Sequence, residues 1–176
     1  KTFLDFADFA IDFVSSNDTK MIGYEIEGNL ADTGVLLRSE GAYIENSEDF
    51  FQAIVGADYG FENGVTIVGE ALYSSKKFSH QEILLNLDSE ISSNLTNSHF
   101  YTGLTLSYSF NIFLDSSLLY IESFNDNNSR FISPSLSYTL NDNNSFTLGA
   151  MIQDGDDSSE FGSVDNTYYF KWALSF

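Results

Sequence analysis

The chain has 176 residues with 26 acidic against 7 basic side chains, a formal net charge of −19, so nucleic acid is not an expected partner and cations are. Apolar residues make up 43%, an ordinary globular share, yet no run reaches the roughly 18 to 20 consecutive apolar residues of a membrane-crossing helix. Cysteine is absent, which suits an oxidising compartment, and 16% aromatics in regular alternation argue against disorder.

Strand and turn signals predict ten strands, at 3–14, 20–31, 35–44, 50–60, 65–73, 99–110, 114–123, 131–140, 145–153 and 167–176. The first is ambiguous, because Asp5, Asp8 and Asp12 leave Phe6, Phe9, Ala10 and Phe13 on a stripe that also suits a helix. Later segments alternate cleanly. Ile22, Tyr24, Ile26 and Leu30 oppose Gly23, Glu25, Glu27 and Asn29; Leu104, Leu106, Tyr108 and Phe110 oppose Gly103, Thr105, Ser107 and Ser109. The eighth strand holds the single proline, Pro134, where an irregularity is expected because proline donates no ladder hydrogen bond. In the ninth, Phe146, Leu148, Ala150 and Ile152 oppose Ser145, Thr147, Gly149 and Gln153. The last places Tyr168, Phe170, Trp172, Leu174 and Phe176 on one face and Thr167, Tyr169, Lys171, Ala173 and Ser175 on the other. A strand that greasy on one side fits lipid.

Connections at 15–19, 45–49, 74–98, 124–130 and 154–166 are longer than those at 32–34, 61–64, 111–113 and 141–144, and the two sets alternate. Aromatics sort with them. Tyr59, Phe61, Tyr108, Phe110, Tyr138, Phe146 and Phe176 fall at the short-turn ends, and Tyr43, Phe51, Tyr73, Phe100, Tyr120 and Tyr168 at the long-loop ends, as two interfacial girdles would. Even strand number, short turns on one side and a dyad of apolar and wetter faces together predict an all-β, antiparallel up-and-down transmembrane β-barrel. The 25-residue connection at 74–98 carries a capping-box spacing at Ser79–Glu82 ahead of Ile83, Leu84, Leu87 and Ile91, which predicts a short amphipathic helix. Two placements suit it, inward as a constriction or across the rim.

The terminal Phe176 behind alternating apolar residues resembles the closing strand of bacterial outer-membrane β-barrel proteins, and the short-turn, long-loop hairpins resemble the porins of that group. The likeness is architectural and covers nearly the whole chain; the glycine often found in that family's assembly signal is missing from the last strand. It implies one β-barrel domain over 1–176, or part of a larger barrel, in the outer membrane of a Gram-negative bacterium, with periplasmic short turns and extracellular loops. It further implies contact with outer-membrane lipid and lipopolysaccharide, passive diffusion of small solutes, and room for a homo-oligomer or a plug. No cofactor is expected.

The predicted inner face carries Asp8, Asp12, Glu25, Glu27, Glu40, Asp58, Glu70 and Asp115 against Arg38 and, on the last strand, Lys171. Confined carboxylates raise local cation concentration and repel anions, so Glu25, Glu27, Arg38, Glu40, Asp58, Glu70 and Lys171 are the candidate pore-lining set for a cation-favouring passage. Arg38 is expected to pair with Glu25 or Glu27 on the adjacent strand. The bland reading is that these groups only keep the interior wet. The sixth, eighth and ninth strands present small groups inward instead, among them Ser107, Ser109, Ser133, Ser135, Ser137, Thr147 and Gly149. That lining leaves room either for water or for a partner, so a non-conducting barrel that anchors or sheathes a plug is the rival expectation.

Asp154, Asp156, Asp157 and Glu160 cluster on one outer loop as weak candidates for a divalent cation, but their spacing departs from the twelve-residue calcium loop. His80 and His99 flank the long loop without a hydrolase motif around them, and catalysis is not expected. The chain opens at Lys1 without a leader pattern, which reads as a mature product or a piece of something longer.

Overall fold

The computed structural model describes residues 2–3, 7–16, 19–45, 49–79, 96–124 and 127–175. The protein is all-β, with strands β1 (Thr2–Phe3), β2 (Asp8–Ser16), β3 (Thr19–Asn29), β4 (Val35–Glu45), β5 (Phe50–Gly60) and β6 (Val65–Ser74). They are followed by β7 (Phe100–Asn111), β8 (Leu114–Ser123), β9 (Ser129–Asn141), β10 (Asn144–Asp154) and β11 (Thr167–Leu174). Every strand lies beside its sequence neighbours, in up-and-down order from β1 to β11. The expected closed barrel is not formed: among the described residues no ladder joins β11 back to β1 or β2. The segment expected as one strand over 3–14 is split into β1 and β2, with only a two-pair ladder between them.

The described residues contain no α-helix, and no helix is long and apolar enough to cross a membrane. The helix expected after Ser79 lies outside the described residues, as do His80 and Phe176. The alternation of connection lengths also needs correcting. Ser15↔Lys20 and Ser16↔Thr19 extend the β2–β3 ladder toward its tip, so the connection expected at 15–19 shrinks to two residues. The opposite end of β3 meets a longer turn, in which Ala31–Thr33 forms a single 3-10 turn tied by the Thr33 hydroxyl to the Leu30 carbonyl at 2.6 Å. Long connections remain at 75–99 and 155–166. The tight β7–β8 and β9–β10 turns are held by asparagine side chains: Asn111 Oδ1 accepts from the Phe113 amide at 2.8 Å and Asn141 Oδ1 from the Asn143 amide at 3.0 Å.

Contacts cluster into two compact units, Lys1–Ala57 with Glu70–Tyr101, and Asp58–Gly69 with Thr102–Phe176. In the first unit the registers Ile22↔Tyr43, Phe13↔Ile22 and Ile11↔Tyr24 place apolar side chains on one face of β2, β3 and β4. They are open to the surroundings: Phe13 is 75% exposed and Ile11 50%. Tyr24 lies flat over Gly41, where a Cβ would sit 2.6 Å from its ring and 2.9 Å from the Gln52 carbonyl oxygen, and its hydroxyl meets Ser39 Oγ at 3.2 Å. Only glycine leaves that space.

The second unit repeats the arrangement with other residues. Leu114, Tyr138, Phe146 and Trp172 line up across β8 to β11, followed by Ser116, Leu136, Leu148 and Phe170. Phe146 stacks on Phe170 and Trp172 at 5.9 and 6.3 Å, while Phe170 and Trp172 stay 66% and 60% exposed. The irregularity expected at Pro134 is present as a gap. The β9–β10 ladder passes from Gly149↔Ser135 to Ile152↔Ile132 without the pairs opposite Pro134 and Ser133, and resumes in unchanged register.

Burial is inverted relative to the usual apolar core. Among the described residues the buried apolar side chains are Ile44, Phe50, Phe78 and Ala150, whereas the least exposed residues of all are Ser74, Ser98, Ser123 and Ser129.

Candidate functional site

In the first unit the face opposite the exposed apolar one is built in rows fixed by ladder register. From one end these are Val14, Met21 and Ile44; then Asp12, Gly23 and Ala42; then Ala10, Glu25 and Glu40; then Asp8, Glu27 and Arg38. The composition therefore changes along the strands from apolar to charged. Directly opposed residues of an antiparallel pair have Cα atoms about 4.5–5.5 Å apart, so Glu25 and Glu40 form an unfavourable like-charge pair.

Arg38 Nη2 donates to Glu70 Oε1 at 3.0 Å. This ion pair reaches from β4 to β6 across β5, beyond the partners expected on the neighbouring strand, of which Glu27 stands opposite Arg38 in register. Both side chains are partly open to solvent, 33% and 48%, so the pair contributes about 0–1 kcal/mol. A hollow of about 230 Å³ is lined by Glu25, Glu27, Glu40 and Glu70 together with Arg38 and Ile54. Four of the proposed lining carboxylates and their one guanidinium thus come together.

A second hollow, of about 280 Å³, shares Glu25, Glu40 and Ile54 with the first and adds Asp12 and an apolar wall of Met21, Ile44 and Leu72. That wall is backed. Ile44, Phe50 and Phe78 form the buried cluster of the unit, with Met21 and Ala42 packed against it and the Phe50 and Phe78 rings edge-on at 5.2 Å. Phe78 comes from the segment after β6, outside any strand, and its amide donates to the Thr96 carbonyl at 2.8 Å. Around it, Gln52 Nε2 donates to Ser74 Oγ at 3.2 Å, Ser74 Oγ donates to the Lys76 carbonyl at 2.6 Å, and Tyr101 Oη accepts from the Asn97 and Ser98 amides at 3.0 and 2.9 Å. The base of the long connection is thereby fixed on the carboxylate-bearing face, an anchoring that sequence reasoning missed. A signal was present, since Tyr43-Ile44 and Phe50-Phe51 put apolar groups on both faces and break the dyad there.

His99 Nδ1 lies 2.7 Å from the Ser74 carbonyl, which can only accept, so this nitrogen carries the proton. Ser98 Oγ donates to the Phe100 carbonyl at 3.3 Å, away from the imidazole.

The second unit holds Asp58 and Lys171 of the candidate set. Lys171 stands opposite Thr147, in a row that continues through Ser137 to Asp115. Its hydroxyls are paired across strands: Ser137 with Thr147 at 3.0 Å, Ser117 with Ser135 at 2.8 Å, and Ser109 donating to Asp115 at 2.5 Å. Tyr169 covers Gly149, where any Cβ would collide with the phenol. Hydroxyls predominate on this face, with Lys171 and Asp115 at the two ends of one row.

The acidic outer loop makes its own contacts. Glu160 Oε2 accepts from Ser123 Oγ at 2.9 Å, Asp154 lies 3.8 Å from Arg130 Nε, and Ser159 Oγ donates to the Asp156 carbonyl at 2.6 Å. Among the described residues no three His, Asp or Glu side chains, Asp157 included, converge as a metal set. No protein-family model, curated protein or solved structure matches the chain.

Proposed function

We propose that the protein forms the wall of a transmembrane β-barrel in a bacterial outer membrane and acts there as a passive channel that favours small cationic and neutral solutes. The observation that carries this reading is the inverted burial: both units expose rows of large apolar side chains, with Tyr168 at 75% and Leu148 at 60%, opposite faces built from carboxylates or hydroxyls. An exposed apolar surface of that extent calls for an apolar contact, and in hydrocarbon every backbone group of a spanning sheet must be paired. In this reading β11 and the first strands find the pairing that the open order leaves over, and the connections at 75–99 and 155–166 are extracellular.

Selection is sieving plus electrostatic bias from Glu25, Glu27, Glu40, Asp58 and Glu70, moderated by Arg38 and Lys171. Reversal potentials across planar bilayers in a salt gradient test it. Cation preference is expected, shrinking when the five carboxylates become amides, most visibly at low ionic strength where screening is weak. Absence of conductance, or anion preference, refutes the channel. The hydroxylated face of the second unit favours one alternative, a barrel sheathing a partner, which stoichiometric co-purification of a second chain would promote over the first.

A further inference from the structure

We infer that the carboxylate-bearing face of the first unit binds organic cations that carry an apolar portion, the cationic group between Glu25 and Glu40 and the apolar portion against Met21, Ile44, Ile54 and Leu72. The inference rests on the channel reading in taking this face to be reached by water. Two adjoining hollows share Glu25, Glu40 and Ile54, and their contrast in lining sets the ligand class. A metal ion would gain nothing from a wall of methionine, isoleucine and leucine. An anion is repelled. An alkylammonium matches both halves, because it separates the in-register Glu25↔Glu40 pair and brings methylenes to a wall already fixed by Phe50 and Phe78. Asp12, on the same lining, adds a third carboxylate within the apolar half.

The guanidinium of Arg38 gives the groove a direction. Held by Glu70 on the far side of the shared carboxylates, it repels a second positive group there, so monocations with one apolar arm fit better than diamines.

The test is calorimetric titration of the full chain in phospholipid nanodiscs with methyl-, butyl- and hexylammonium, with hexanoate and hexanol as the probes that carry only one of the two features. Affinity should rise with chain length, by up to about fourfold for each methylene that is fully buried, and hexylammonium should bind at least about tenfold more tightly than methylammonium. The double substitution Glu25→Gln with Glu40→Gln removes a repulsion and should fold, yet should weaken hexylammonium about tenfold or more. Ile54→Ser with Leu72→Ser should flatten the chain-length series while leaving methylammonium binding in place, and the series on the unaltered protein gives the same answer without any variant. Equal affinity for methyl- and hexylammonium overturns the site, as does hexanoate or hexanol binding as tightly as hexylammonium, or hexylammonium binding unchanged in the double variant. Cation-selective conductance without hexylammonium binding overturns the site while leaving the channel standing; binding without conductance supports the site and sinks the channel.

Discussion

The two units carry the same kind of exposed apolar face and different opposite faces. In both, aromatic and branched side chains line one face in cross-strand rows, from Phe13, Ile22 and Tyr43 in the first to Leu136, Leu148 and Phe170 in the second. On the opposite face the first unit sets four glutamates and an arginine beside an apolar wall, whereas the second carries serine and threonine whose hydroxyls satisfy one another. A shared environment explains the likeness of the exposed faces. Specific chemistry explains the difference between the opposite faces, and under the proposed channel reading discrimination among solutes would lie in the first unit.

The largest effect should come from the wall of that unit. Phe78→Ala deletes a ring that is 6% exposed and packed against Phe50 and Ile44, a loss of about 3–5 kcal/mol if the site cannot collapse. Faster amide exchange at Phe78 and Ser74, whose amides donate to the Thr96 and His99 carbonyls, would register it; unchanged protection would show that the connection is held by its hydrogen bonds alone.

Next in size is a pair of neighbouring positions in the second unit that separates lipid from water. Leu148→Arg, on the outer face, should cost about 2–4 kcal/mol in a bilayer if it lies near the midplane, while Thr147→Arg on the inner face should cost distinctly less. Denaturant unfolding in phospholipid vesicles reads both. Leu148 is already 60% exposed, so a near-zero effect there would make the outer face a water-facing surface and break the likeness between the units.

The smallest concerns packing on the hydroxylated face. Gly149→Ala introduces a Cβ into the phenol of Tyr169 and should cost about 1–3 kcal/mol, whereas Gly103→Ala meets nothing within 4 Å. Equal stability of the two variants would mean that Tyr169 swings away freely, and that this face is less ordered than the first unit's groove.

Most of the strands are legible in the sequence because the two-residue rhythm is strong from 19 onward; β5, predicted at 50–60, and β8, at 114–123, coincide with the structure. Four features are not legible, for separate reasons. Closure depends on pairing between distant edges, which no local pattern encodes. The tip of the β2–β3 hairpin reads as a loop because Ser15, Ser16 and Thr19 are polar, although nothing in such side chains stops a ladder. The Arg38–Glu70 contact is missed because adjacency considers only the neighbouring strand, whereas a long flexible side chain reaches two strands away. The carboxylates were found as a set from alternation alone; the apolar wall beside them was not, since its key ring belongs to a segment without periodicity.

The reach of Arg38 over β5 has a consequence for assembly. A slip of one residue in either ladder it spans would turn one of its two charges to the opposite surface, so the contact forms only when β4, β5 and β6 are all aligned. Its modest energy adds a small bias toward that alignment more than overall strength. Weakening it should therefore show first as misregistered, slowly maturing protein rather than as a lower melting temperature.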